Sequence, residues 1–505
     1  MYRILKALKD TYITNRIISN NFRAKDANVG QAGTLDLFKL HDENTLTGTA
    51  APQELSRILV KFDLSNLQSL TGSTLDINHS SFKCTLKLYD VYGGQPTPEN
   101  FKIIVHPLSK SFDEGTGMDI RNYSHLGSCN FITASVTSGN PVVWNSQGAN
   151  ASGILGQSNI DIISSGNLKD GEGVANLFKT QSFATGLEDI SIDITTLVSA
   201  TIAGLLPDHG LRIAFSGTQE TDTKTRFVKR FASRHSSNDR KTPRICVQYD
   251  DSVHDDHENM FFDLTGSLFL RNYHRGQLAN LRSGSSLTEI TGDNSIRLKI
   301  KSGSWYKLLT GSQHKIGSAA VSGTYSASFA ISSLTTELTG EINAAGSGTF
   351  NLYWISSDQT VAYHTGSLVI NSITRNSFSS NPRKLNFTIM NQKPSYLSTE
   401  KVRFRVHVED ISPVVKRARK VPIENKTILF RNMHYRVVDA QTNDVIIPFD
   451  ESKNSTRLSS DGNGMFFDMY MDSLTKGRNY MIHFKVSDMG TTIIDRDAGI
   501  KFRVD

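Results

Sequence analysis

The chain has 505 residues, of which 38% are hydrophobic and 21% charged. That length exceeds what one core holds and points to roughly two to four domains, while the composition excludes a disordered chain. A net charge of +6 is mild for this size and argues against a dedicated nucleic-acid binder.

The opening "MYRILKALKDTYI" is basic but has no apolar run long enough for a signal peptide. No later stretch approaches the roughly 20 apolar residues of a membrane span. The expectation is a protein that is made in a cytosol and stays soluble, with no membrane partner. Short apolar runs then alternate with clusters of Ser, Thr, Asn and Gly, the texture of an all-β chain with many turns.

In "RILVKFDLSNL" (57–67), Ile58, Val60, Phe62 and Leu64 alternate with Leu59, Lys61 and Asp63, the period of a strand. Arg57, Lys61 and Asp63 are expected at strand ends or on a solvent face. Further strand-like runs are "TLDLFKL" (34–40), "CTLKLYDV" (84–91), "FKIIVHPL" (101–108), "ISIDITTLV" (190–198), "LRIAF" (211–215) and "RICVQY" (244–249). The region from about 113 to 188 is a long loop with small elements of its own or a functional insertion. "IDITTLVSATIAG" predicts one short helix capped by Thr195 or Thr196 and ending at Gly204.

The polar stretch "YDDSVHDDHEN" marks a boundary, with a solvated linker over 253–259. A second run of strands fills 260–393. A third occupies 396–505, opening with "VRFRVHVED" and containing "YMIHFKV", in which Tyr480, Ile482, Phe484 and Val486 face inward. The fold class is therefore all-β, a chain of three β-sandwich or jelly-roll domains at 1–252, 260–393 and 396–505.

Candidate chemistry is sparse. Cys84, Cys129 and Cys246 are far apart and lack zinc-ligand spacing, so they read as small buried hydrophobes. His254, Asp255, Asp256, His257 and Glu258 adjoin along an extended chain, where neighbours point apart instead of converging on a metal. Asp113, Glu114 and Asp119 in a Gly-rich loop lack a facing partner for acid–base work. No nucleophile elbow, phosphate loop or dinucleotide fingerprint occurs. No catalytic residue, cofactor or metal is expected. "VVKRARKV" places Lys416, Arg417, Arg419 and Lys420 in a row, either a solvated loop or a contact for an acidic partner.

One ordered series of segments is specific. "DTYITN" (10–15), "NVGQAGTLDL" (28–37), "RILVKFDLSNL" (57–67) and "CTLKLY" (84–89) come first. "SFDEGTG" (111–117), the Trp of "PVVWN", "IDITTLV" (192–198), "GLRIAF" (210–215) and "FASRHSSNDRKTPRICVQY" (231–249) follow. This series resembles the DNRLRE domain, a jelly roll like a carbohydrate-binding module found in secreted and virion proteins. Phe112 stands where that family has Trp, and the middle is expanded. "FLRNYHRGQL" (269–278) and residues 435–486 resemble segments of virion structural proteins from large contractile-tailed phages of marine bacteria.

The resemblance implies a non-enzymatic virion structural protein of the neck, tail or baseplate, or else a head decoration. Its partners would be other virion proteins and further copies of itself in a symmetric assembly. The alternative is an adhesin docking on host polysaccharide, for which Tyr92, Tyr123 and Trp144 are the candidate sugar contacts.

Overall fold

The computed structural model describes residues 1–72, 74–94, 96–120, 127–168, 173–257, 259–284, 286–338, 346–372, 384–411, 427–488, 491–495 and 499–505. Among the described residues strands hold 49% and helices 5%, arranged as several sandwich-like sheets. The chain divides into two compact units. The first comprises Arg3–Ser69 and Lys83–Val247, and the second Met1–Tyr2, Leu70–Phe82 and Gln248–Asp505.

The first unit is built on a ten-stranded sheet. Its strands are β1 (Tyr2–Thr14), β2 (Thr34–His41), β3 (Gln53–Phe62), β4 (Lys83–Leu88) and β5 (Phe101–Pro107). They continue as β6 (Lys179–Phe183), β7 (Ile190–Asp193), β8 (Leu211–Phe215), β9 (Arg226–Ala232) and β10 (Arg244–Gln248). The order is β6-β5-β8-β3-β1-β10-β4-β7, with β2 joining β3 to β9. Thus β1 and β10, from opposite ends of the unit's sequence, are neighbours, which is how "DTYITN" comes near "SRHSS".

Both faces of β3 are covered, since Ile58, Leu59 and Val60 are all buried. Arg57 is only 4% exposed, which corrects the expectation of a strand-end or solvent position. Lys61 remains half-buried and donates to the Asp208 carbonyl at 2.6 Å, and Asp63 accepts from the Ser65 amide at 3.0 Å, fixing the turn into helix α1 (Ser65–Leu70).

Helix α1 is not expected from the sequence; the one helix that is expected is α2, which spans Thr195–Ile202, and Gly204 follows with a φ of +76°. Its cap differs from expectation. The residue before it is Ile194, which offers no side-chain bond, and Asp193 Oδ1 receives both the Thr195 amide (2.9 Å) and its hydroxyl (2.6 Å). Thr195 is thereby drawn into the first turn, where its Oγ1 accepts from the Cys84 amide at 2.9 Å. The 113–188 region carries short strands, Thr133–Thr137, Asn140–Val143, Ser152–Ile154 and Ile162–Gly166 among them. Side chains from here pack with Ile13, Leu59 and Leu108 around Phe112, Phe131 and Trp144 in one core cluster.

In the second unit a six-stranded sheet contains β11 (Gly266–Arg271), β12 (Ile296–Ser302), β13 (Trp305–Ile316), β14 (Ala319–Phe329), β15 (Ser347–Ser356) and β16 (Ala362–Asn371). Its order is β11-β14-β13-β12-β15-β16. The expected boundary near 394–396 falls within this same unit.

Two further sheets follow. The four-stranded one is formed by β17 (Leu385–Ile389), β19 (Lys401–Asp410), β23 (Gly464–Tyr470) and β22 (Ser459–Asp461). The six-stranded one contains β18 (Ser395–Tyr396), β20 (Met433–Asp439), β21 (Val445–Ile447), β24 (Arg478–Asp488), β25 (Thr491–Asp495) and β26 (Lys501–Val504). Tyr480, Ile482, Phe484 and Val486 of β24 are all buried, as their alternation predicts.

The stretch expected as a solvated linker is fastened down instead. The Val253 carbonyl accepts from the Ser460 amide at 2.9 Å, and the Asp255 amide donates to Ser460 Oγ at 3.1 Å. Asp255 is 6% exposed. Val253 and Asp255 supply hydrogen bonds that the edge strand β22 needs.

A buried carboxylate node as the candidate functional site

Three of the segments that carry the family resemblance converge in the first unit. Asp10 lies within β1, Glu114 in the "DEGTG" loop, and Arg234 and His235 in the turn after β9. The Asp10 amide donates to Glu114 Oε1 at 2.9 Å, and Asp10 Oδ2 accepts from the Arg234 amide at 2.6 Å. Arg234 Nε lies 2.9 Å from Glu114 Oε1 and donates to His235 Nε2 at 3.2 Å. His235 Nε2 lies 3.5 Å from Glu114 Oε1. Asp10 is fully buried, and its Oδ1 has no hydrogen-bond partner.

Asn28 holds the loop in place. Its Nδ2 donates to the carbonyls of Glu114 and Cys129, both at 2.8 Å, and its Oδ1 accepts from the Gly117 amide at 2.8 Å. This close approach explains two glycines. A Cβ on Gly30 would stand 1.8 Å from the Glu114 carbonyl oxygen, and one on Gly117 would stand 2.0 Å from the Asn28 carbonyl oxygen. Neither position admits a side chain.

Electrostatically the node sets two carboxylates against one guanidinium and an imidazole. Burial pushes the Asp10 carboxyl up to about 7, against the lowering effect of the Arg234 amide.

Other charges in this unit are paired inside it. Arg57 grips Glu220 through two bonds of 2.9 and 2.8 Å and donates to the Gly148 carbonyl at 2.6 Å. Arg212, 3% exposed, lies 3.6 Å from Glu220 as well. Burial and the neighbouring Arg57 charge bring Arg212 down to about 9. Burial pushes the Glu220 carboxyl up, but the hydrogen bonds of Arg57 and both guanidinium charges outweigh it and leave it below the usual range. Lys39 and Lys229, each fully buried, pair with Asp222 and Asp90.

The candidates from sequence are scattered. Trp144 is 4% exposed and its Nε1 donates to the Asn130 carbonyl at 3.0 Å, so it is a core residue and not a stacking platform for sugar. The expectation failed because the long middle region contributes to the core instead of forming a surface loop. Tyr92 is 61% exposed. Tyr123 and the row Lys416, Arg417, Arg419 and Lys420 lie outside the described residues. Asp113 Oδ2 accepts from the Val136 amide at 2.8 Å, a structural bond. In the second unit Asp255 and Asp256 turn to separate partners, Asp255 Oδ1 to the His257 amide and Asp256 to Arg431 and the Ser267 amide, as adjacent extended residues should.

Sequence reasoning missed the node because Asp10 and His235 are 225 positions apart. The signal was present only in the resemblance, whose opening and closing segments contain them.

No protein-family model matches the chain, and no curated protein matches it. Solved structures similar to it include fibronectin(III)-like modules of Clostridium thermocellum CbhA, at 11% identity, covering 50% of this chain and 90% of theirs with a TM-score of 0.14. The N-terminal Ig1-2 module of the Drosophila receptor protein tyrosine phosphatase DLAR is 9% identical, covering 48% and 89%, with a TM-score of 0.14. Native Escherichia coli alpha-2-macroglobulin is 7% identical, covering 98% of this chain and 29% of that one, with a TM-score of 0.13. The chain is an all-β protein of sandwich type.

Proposed function

We propose that the chain is a non-enzymatic structural protein of a tailed-phage particle, placed in its neck, tail or baseplate and acting through protein–protein interfaces. The observation that carries this reading is the internal use of charge. In the first unit the buried ions Lys39, Lys229, Arg57 and Arg212 are held by Asp222, Asp90 and Glu220. In the second, Asp468 accepts Arg403 at 2.7 Å and lies 3.3 Å from Lys401. Breaking a buried pair is costly, so such networks fix strands in one register. That suits a part whose work is to hold shape.

Sandwich domains in series and the segments shared with the DNRLRE domain and with phage virion proteins support the same reading. Its partners would be neighbouring virion proteins and copies of itself. The test is mass spectrometry of gradient-purified particles from the virus that encodes the chain. Peptides from it should band with the particles at a fixed ratio to the capsid protein. Their confinement to the soluble lysate would remove the proposal.

A further inference from the structure

We propose that Asp10, Glu114 and His235 form a three-ligand site for a divalent transition metal of the zinc class, with Arg234 as the competing cation. One ligand atom from each of the three lies within 4.8 Å of the other two. A tetrahedral zinc ion with bonds near 2.1 Å separates its ligands by about 3.4 Å. His235 Nε2 and Glu114 Oε1, 3.5 Å apart, already match that spacing.

The second, independent observation is the fully buried Asp10 Oδ1, which has no hydrogen-bond partner. A buried carboxylate oxygen left unpaired costs free energy that a cation would recover. The other oxygen and the backbone of Asp10 are occupied, so the carboxylate is held in place with one oxygen free. Arg234 Nε now sits against both Glu114 Oε1 and His235 Nε2, at 2.9 and 3.2 Å. Its Nη1 also donates to the Leu8 carbonyl and its side chain is 34% exposed, so an entering ion would have to displace it toward water. His235 is 24% and Glu114 13% exposed, which leaves an open side for a water as fourth ligand.

The donor set selects the metal. An imidazole with two carboxylates suits zinc and its neighbours, whereas calcium takes oxygen ligands in greater number. The ion would pin β1, the 111–117 loop and the turn after β9 to one another, and binding would be linked to folding of the unit.

The experiment is calorimetric titration of chelator-treated full-length protein with zinc chloride, and separately with calcium chloride. Zinc should bind at one saturable site and raise the melting temperature, and calcium should do neither. Asp10→Asn and His235→Ala should each weaken zinc binding by about tenfold or more. Arg234→Gln should tighten it, because the competing cation is gone. This last result separates a metal site from a salt-bridge cluster, in which removing Arg234 gains nothing. Cobalt(II) added to the unaltered protein supplies a check that needs no variant, since a tetrahedral site gives intense visible absorption. Absence of saturable zinc binding up to about 1 mM, or binding unchanged in both ligand variants, overturns the proposal.

Discussion

Asp76 and Ser318 lie 242 residues apart, yet Asp76 Oδ2 accepts both the amide and the hydroxyl of Ser318 at 2.8 Å. Ser318 belongs to the hairpin turn between β13 and β14, and Asp76 to the Leu70–Phe82 segment, both in the second unit. Gly317 adopts a φ of +63° in that turn, and a Cβ there would approach the Asp76 carboxylate to 2.5 Å. Asp76→Ala should lower the stability of this unit by about 1 kcal/mol, the worth of an ordinary hydrogen bond. Gly317→Ala should cost at least as much, through the strained backbone. Calorimetric melting of the full chain would record both losses, and an unchanged transition in both variants would contradict the contact.

Glu220 lies 2.8 Å from Arg57 and 3.6 Å from Arg212. Glu220→Ala leaves two buried guanidinium groups facing each other, and the loss should reach about 3–5 kcal/mol. Denaturant unfolding of the first unit is the measurement. A loss below about 1 kcal/mol would mean the group is solvated in a way its burial does not suggest.

Burial pushes the Asp255 carboxyl up to about 7, against the attraction of Arg271, while Asp256 and Asp461 add to the upward push. The sign follows from linkage. The folded state holds this proton more tightly than the unfolded chain does, so the contribution is full below about pH 4 and is lost as pH rises through 7. Relative to Asp255→Asn, the natural protein should lose up to about 1.4 kcal/mol per pH unit across that window. Paired denaturation curves at pH 4, 5.5 and 7 would read the trend, and a constant difference would refute it.

Trp144→Ala should destabilise the first unit by about 3–5 kcal/mol, as a large buried aromatic does. Tyr92→Ala, on an exposed loop, should change stability by less than about 0.5 kcal/mol. Affinity electrophoresis on host polysaccharide then has a clean control. Retention of the natural protein that Tyr92→Ala abolishes would favour the adhesin reading over the structural one.

Fold class was legible because alternation is a local property. Val402, Phe404, Val406 and Val408 announce β19, and Arg403 and Arg405 on its other face pair with Asp468 and Asp461. Long-range pairing was not legible. Arg57 reads as a surface cation until Glu220, 163 residues later, folds over it. The acidic stretch at 253–259 reads as solvated because the serines that receive it lie beyond residue 458. Trp144 reads as an exposed ring because a long Gly- and Asn-rich region resembles a surface loop in composition, and only its packing with Ile13 and Leu59 shows otherwise. The node of Asp10, Glu114 and His235 has the same origin. Glu114 alone reads as a loop carboxylate without a facing partner, and the sheet order that places β1 beside β10 brings the three together.

A role as a structural part of a phage particle can be checked in a cryo-EM map of the intact particle produced by the encoding virus. Density into which both units of this chain fit should be present, repeated under the symmetry of the neck, tail or baseplate and in contact with neighbouring subunits. A map of the complete particle at side-chain resolution with every density assigned to other chains would contradict it.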